Sequence, residues 1–198
     1  MSKMALSAIA AAAVFASGAA TAGVIDFESV STGTYSSVTD QGVTFTYLGG
    51  TGDFDVTASG SPGWPISGNA LISFFQQGES NAPFKATMAG GFSAFAIGGG
   101  DYNADDDEYY LEAYDSFDNL LDSDYLYVDE TVYGGGMVSV SSATPIAYVL
   151  FWEDGTYPGA VYWDNAEFTA AAVPEPQSWA LMGLGLAGLA AFARRRKA

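Results

Sequence analysis

The sequence predicts an all-β protein, with an antiparallel β-sandwich body between two short end segments of different character. Runs rich in Val, Ile, Phe, Tyr and Thr recur along the body, and Gly, Asn, Asp, Ser and Pro separate them. No stretch of the body shows the helical spacing of apolar side chains. About ten short strands in the 150 residues 23–172 suggest two packed sheets, a sandwich or jelly roll.

Eleven runs are candidate strands of this body. They are 24–30, 43–48, 54–58, 70–75, 84–88, 92–97, 109–114, 120–128, 136–141, 146–152 and 161–169. The polar sequence from Asp115 to Asn119 is typical of a turn, and it predicts a hairpin that joins the seventh run to the eighth.

The first 22 residues have the pattern of a secretory signal peptide. Lys3 supplies a positive charge, residues 5–20 are mostly small and apolar, and residues 20–22 read Ala-Thr-Ala. This order of a basic end, an apolar run and small residues is typical of a cleaved signal. We expect the cut after Ala22.

The last 26 residues form a second unusual segment. It consists of Val173, Pro174, Glu175 and Pro176, an uncharged apolar span at 178–193, and a basic tip of Arg194, Arg195, Arg196 and Lys197. As a helix the span would measure roughly 24 Å, which is short against the ~30 Å core of a bilayer. The basic tip would stay in the cytoplasm and place the body across the membrane.

These three parts, in this order, resemble the PEP-CTERM sorting signal. The resemblance implies recognition and cleavage by exosortase, a membrane protease-transpeptidase of Gram-negative bacteria that make exopolysaccharide and biofilm matrix. It also implies a route through the export machinery. The protein would be anchored transiently in the inner membrane with its body in the periplasm, and would then reach the cell surface or the extracellular matrix.

The body is strongly acidic. Lys85 is its single cation against 22 carboxylates, a net charge of about −21, because the other five cations lie in the end segments. Such a surface repels nucleic acid, so nucleic-acid binding is not expected. The charge invites divalent cations, or simply keeps an exported protein in solution.

The chain contains no His and no Cys. Their absence excludes Ser-His-Asp and Cys-His catalysis and ordinary zinc sites. The glycine runs 98–100 and 134–136 precede no predicted helix, so we expect turn glycines and not phosphate-binding loops. We expect a protein that is not an enzyme; the alternative is a glycosidase or lyase that uses two carboxylates.

Four short motifs of the body resemble the galactose-binding-like jelly rolls of carbohydrate-binding modules and the β-sandwich bodies of other PEP-CTERM proteins. They are Ile25-Asp26-Phe27-Glu28, Gly42-Val43-Thr44-Phe45, Ala113-Tyr114-Asp115 and Trp163-Asp164-Asn165-Ala166-Glu167-Phe168. The resemblance implies a structural calcium shared by Asp26, Glu28 and Asp164. Alternatively, Asp164 and Asn165 form a cap that holds the backbone at a strand end.

A second candidate calcium site lies in the most acidic segment of the chain. Asp101, Asn103, Asp105 and Asp107 place oxygen atoms at alternate positions, with Glu112 further on, as in an EF-hand loop. The flanks look like strands, and Asp106 stands where that loop needs Gly. The alternative is a solvated acidic turn that keeps sheet edges from pairing with neighbours.

Several aromatic residues fall in predicted loops. Trp64, Tyr102 and Tyr157 are the candidates for stacking against a sugar, although aromatic residues of a sandwich more often pack in its core. From these observations we expect an exported structural or adhesive protein that binds calcium or exopolysaccharide.

Overall fold

The computed structural model describes residues 21–60, 62–73, 82–102, 105–131, 134–155, 160–172 and 182–189. The strands are β1 (Ala22–Ile25), β2 (Gly33–Tyr35), β3 (Val38–Asp40), β4 (Val43–Tyr47), β5 (Phe54–Ala58), β6 (Asn69–Ile72), β7 (Phe84–Asp101), β8 (Asp107–Tyr114), β9 (Leu120–Val128), β10 (Gly134–Gly155) and β11 (Tyr162–Ala170). All eleven lie in one compact unit, Ala20–Ala171. The predicted all-β class is confirmed.

Every strand pairing is antiparallel, in the order β2-β5-β6-β11-β7-β10-β8-β9. β1 pairs with β11, and β4 joins β3 to β7. The loop around Asp115 connects β8 to β9 as a hairpin, as the sequence predicts.

Two long strands, β7 and β10, pass through both layers of the sandwich. The first part of β7 pairs with β4 and with the last part of β10, which continues to β8 and β9. The last part of β7 pairs with the first part of β10 and with β11, which continues to β6, β5 and β2. We call these groups the first layer and the second layer.

Aromatic side chains fill the core between the two layers. The ring of Trp163 in the second layer lies 5.0 Å from Phe151 and 5.6 Å from Tyr109 in the first, measured between centroids. Phe54 of the second layer lies 5.4 Å from Phe84 of the first. These rings are all buried, so they serve packing between the layers.

The prediction of separate strands at 84–88 and 92–97 is wrong, and so is the same division of β10. Gly90 and Gly91 adopt φ of 85° and 79°, which bends β7 without ending it. A β-carbon on Gly91 would lie 2.5 Å from the carbonyl oxygen of Ile146, so only glycine allows this contact between the bent strands. In β10 a register shift between Ser141 and Ile146 accommodates residues 142–145, which lie between the two predicted strands.

The strands at the N-terminal end of the body also differ from the predicted ones. The first strand ends at Ile25, because Phe27 has a φ of 55° and its carbonyl accepts the N–H of Val30 at 3.0 Å. β2 and β3 are strands of three residues each that composition did not indicate.

The end segments fall largely outside the described residues. This applies to residues 1–20 of the predicted signal peptide and to the sorting residues 173–176 with the basic tip 194–197. Within the predicted apolar span, 182–189 is helical. In the ranges given above, no helix is both long enough and apolar enough to cross a membrane.

Candidate functional site

Three carboxylates meet where β7 ends and β8 begins. One oxygen from each of Asp101, Asp105 and Asp107 lies within 4.8 Å of the others. Asp101 is 7% exposed and Asp107 only 2%, while Asp105 is half-buried. The sequence prediction named these three residues together with Asn103, which lies outside the described residues.

Burial and like charge govern the electrostatics of this acidic cluster, Asp101, Asp105 and Asp107. Burial, and after it the charges of Asp101 and Asp105, raise the pKa of Asp107 from 3.8 to about 7. The hydroxyl of Tyr109 donates to Asp107 Oδ2 at 3.0 Å and opposes this rise. Burial and the neighbouring acidic charges also raise the pKa of Tyr109, so the tyrosine stays a hydrogen-bond donor.

A fourth carboxylate, which the sequence gave no reason to include, stands next to the cluster. Glu153 of β10 is paired in register with Tyr109 and is 4% exposed. A β-carbon on Gly155 would lie 2.6 Å from Glu153 Oε1 and 3.5 Å from Asp105 Oδ2, so the two carboxylates face the same small space. Glu112, by contrast, accepts a hydrogen bond from the hydroxyl of Tyr114, further along β8.

The second predicted group, Asp26, Glu28 and Asp164, is hydrogen-bonded to backbone. Asp164 is fully buried and accepts the N–H of Ser67 at 3.0 Å and of Asn165 at 2.6 Å. Asp26 Oδ1 accepts the N–H of Glu28 at 3.2 Å.

The charges of the other two carboxylates of this group also affect the pKa of Asp164. Burial, together with the charges of Asp26 and Glu28, raises its pKa from 3.8 to about 6, although the two backbone N–H groups oppose the rise. Glu28 Oε1 in turn accepts the N–H of Asn69 at 2.7 Å. Across the described ranges, the convergence of three ligand oxygens occurs at Asp101, Asp105 and Asp107 and not at this group.

The predicted stacking residues have different environments. Trp64 is 73% exposed. Tyr102 is exposed as well, but its hydroxyl donates to the carbonyl of Ser59 and its ring contacts Tyr162. Tyr157 lies outside the described residues.

Two aromatic ladders cross the outer face of the first layer. Tyr110 stacks on Trp152 at 5.1 Å and contacts Tyr125 at 5.0 Å, while Tyr114 stacks on Tyr148 at 5.1 Å. Lys85 Nζ lies 3.9 Å from the centroid of the Tyr148 ring. In the two stacked pairs the ring faces are therefore turned toward one another, and the single cation of the body contacts the ring of Tyr148.

Two carboxylates of β9, in the first layer, accept hydrogen bonds from the backbone along the edge of β10 in the second layer. Asp124 Oδ2 accepts the N–H of Ser139, and Asp122 Oδ2 accepts the N–H of Ser141, both at 2.8 Å. We call these two contacts the carboxylate seam. The seam satisfies outward backbone groups of β10 that would otherwise form an open sheet edge.

The seam ends at a cleft of about 460 Å³ whose lining includes Trp64, Leu126, Asp129, Gly136 and Met137. This volume falls in the range of roughly 300–1,000 Å³ that is usual for small-ligand sites.

Comparison with known families identifies the C-terminal segment. Residues 172–197 match the family model of the PEP-CTERM protein-sorting motif. The match confirms the sorting signal predicted from Val173, Pro174, Glu175 and Pro176, and it identifies an exported protein that passes through the membrane. The motif also implies processing by exosortase.

Several solved structures share similarity with the chain. An arabinose-bound α-L-arabinofuranosidase is 11% identical over 74% of this chain, with a TM-score of 0.48, and this chain spans only 26% of it. A DUF4465 family protein from Bacteroides caccae is 12% identical over 76% of this chain and 100% of its own, with a TM-score of 0.47. The CBM22-1 xylan-binding domain from Paenibacillus barcinonensis is 13% identical over 78% and 100%, with a TM-score of 0.41. Comparison with curated protein sequences gives no match.

Proposed function

We propose that this exported protein is a structural or adhesive module of the cell surface or extracellular matrix, and that calcium stabilises it at Asp101, Asp105 and Asp107. The observation that carries the proposal is the convergence of the three carboxylates within 4.8 Å in a largely buried position. Calcium prefers carboxylate and carbonyl oxygens and tolerates irregular coordination, so these residues fit it.

Charge balance supports a metal at this place. Lys85 is the only cation between residues 23 and 172, and it lies over the ring of Tyr148. A bound cation at the cluster and the adjacent Glu153 would add positive charge to a body that otherwise carries it at Lys85 alone. A divalent ion would displace the proton that Asp107 holds below about pH 7.

For Asp26, Glu28 and Asp164 we propose the cap. The N–H groups of Ser67 and Asn165 already occupy the oxygens of Asp164, and the N–H of Asn69 occupies Glu28 Oε1. Such contacts tie the loop before β6 and the turn after β1 to the last strand without requiring a metal.

The calcium proposal is tested by thermal unfolding and calorimetry on the full-length chain. We expect calcium to raise the melting temperature relative to EGTA, and the variant Asp105→Asn to reduce that rise. The matched control is Asp53→Asn, an exposed carboxylate on another loop. A melting temperature that is the same in calcium and in EGTA would overturn the calcium assignment.

The proposed destination is tested with the sorting segment. Replacing Pro174 and Pro176 by Ala, in a host that contains exosortase, should keep the protein as a membrane-associated precursor. Delivery of this variant to the surface or matrix at the normal level would contradict the proposed role of the motif. A truncation that lacks residues 173–198 should leave the body in the periplasm.

We also propose that the body is not an enzyme. The alternative, a glycosidase or lyase, draws on the raised pKa of Asp107, which is a property of a general acid. Asp107 and Asp101 are too deeply buried for a sugar to reach them, which favours a metal over a substrate. Release of reducing ends from matrix polysaccharide by the wild-type protein, and not by Asp107→Asn, would support the enzyme instead.

A further inference from the structure

The carboxylate seam stops one position before the cleft. Asp122 and Asp124 accept the N–H groups of Ser141 and Ser139, so the next contact in this antiparallel series would join residue 126 to Met137. Residue 126 is Leu, whose side chain cannot accept a hydrogen bond. Met137 has the same strand parity as Ser139, and its N–H and C=O therefore point toward this edge, at the wall of the cleft.

Trp64 stands on the opposite side of the cleft in a well-anchored loop. The N–H of Ile66 donates to the carbonyl of Gly63 at 2.8 Å, and the N–H of Gly135 donates to the carbonyl of Trp64 at 3.2 Å. A β-carbon on Gly134 would lie 2.8 Å from that carbonyl, so glycine there allows the loop to approach β10 closely. The backbone that carries the exposed indole is thus held against β10 before any ligand arrives.

We propose that this cleft binds a neutral glycan chain. The indole face of Trp64 stacks on the C–H face of a pyranose ring, while the N–H and C=O of Met137 exchange hydrogen bonds with its hydroxyl groups. Asp129 completes the site as an acceptor, because it is exposed and both hydrogen bonds from Thr131 go to its Oδ1. An apolar wall with a few convergent polar groups is the usual composition of a small-ligand site.

The negative charge of the cleft determines which class of glycan it can bind. Asp129 forms part of the lining, and hydrogen bonds from Thr131 lower its pKa, so it is ionised at neutral pH. The body has one cation in total, and it lies over Tyr148 and not in this cleft. Uronate or sulfate groups would meet an uncompensated negative field, whereas uncharged hexose chains would not.

The inference rests on the proposed adhesive role, for which it supplies the binding partner. It is tested by calorimetry of the full-length chain with cellohexaose, laminarihexaose and maltohexaose, with polygalacturonate as the anionic comparison. We expect at least one neutral probe to bind and Trp64→Ala to weaken it by at least about tenfold, while Trp64→Phe retains most of the affinity. Phe117→Ala, an exposed aromatic at the opposite end of β9, is the matched control and should bind normally.

Two results would overturn the site: no binding of any neutral probe, or unchanged binding by Trp64→Ala. The same samples are melted in calcium and in EGTA, so that the two proposals are judged separately. A normal calcium response without sugar binding refutes the cleft alone. Sugar binding without a calcium response refutes the calcium assignment and supports the cleft.

Discussion

The substitution Asp107→Asn should have opposite effects on stability with and without calcium. Without metal, the folded protein holds the carboxyl with a pKa of about 7, against 3.8 for an unperturbed Asp. The protonated form therefore stabilises the folded state fully below about pH 3.8, and this contribution is lost as the pH rises toward 7. Asn is neutral at every pH and keeps an oxygen that can accept the hydroxyl of Tyr109.

The size of the effect follows from the two pKa values. At about 1.36 kcal/mol per pH unit, the difference between 3.8 and about 7 amounts to on the order of 4 kcal/mol above pH 7. This is a large part of the 5–15 kcal/mol typical of a folded domain. In a body of this size it corresponds to a difference in melting temperature on the order of 10 °C.

The assay is urea or thermal unfolding of wild type and Asp107→Asn between pH 4 and pH 8, in EGTA and in calcium. In EGTA the variant should match wild type at pH 4 and exceed it at pH 8. In calcium the wild type should recover at pH 8, and the variant should gain much less. Asp53→Asn, on an exposed loop, should follow the wild type throughout.

One outcome would refute the reasoning directly. If Asp107→Asn is less stable than wild type at pH 8 in EGTA, the carboxylate is a stabilising hydrogen-bond acceptor and not a buried charge in need of a cation. An undiminished calcium response in the variant would place the metal elsewhere.

Three further predictions concern the fold around the sites. Asp164→Ala should lower the free energy of unfolding by about 1–3 kcal/mol, because it removes the buried carboxylate that accepts the N–H groups of Ser67 and Asn165; unchanged urea unfolding would contradict the cap. Asp124→Ala should speed hydrogen exchange at the amide of Ser139, as measured by NMR, and equal exchange would show that the seam does not protect the edge. Gly91→Ala should cost about 2 kcal/mol or more in thermal unfolding, since its φ is 79° and its β-carbon would meet the carbonyl of Ile146; a neutral result would mean that the bend relaxes freely.

The strand pattern could be predicted where a strand is straight and regular. The range 120–128 predicted from composition is the observed β9. The bends of β7 and β10 could not be predicted, because a glycine such as Gly90 can either end a strand or bend it. Which of the two occurs depends on whether the neighbouring strands of the sheet continue on both sides of the glycine. Long-range pairing decides this, and local composition does not contain it.

The residues of the candidate sites likewise divide into those that the sequence could group and those that only the structure brings together. Asp101, Asp105 and Asp107 could be grouped from their spacing because they belong to one turn. Glu153 could not, since only the register of β10 against β8 brings it to Tyr109. The exposure of Trp64 likewise depends on a loop whose carbonyl is held by Gly135, a partner far away in the chain.

The sequence by itself determined that the protein is exported, that its body is acidic and all-β, and that it has no His or Cys chemistry. These properties follow from composition, from strand-length patterns and from a contiguous terminal motif, which need no tertiary contact to be recognised. Only the tertiary structure decided how β7 and β10 link two layers, which carboxylates converge and which aromatic faces reach solvent. The physical reason is that burial, raised pKa values and clefts arise where strands distant in sequence come together. The register of strand pairing determines which residues are brought together there.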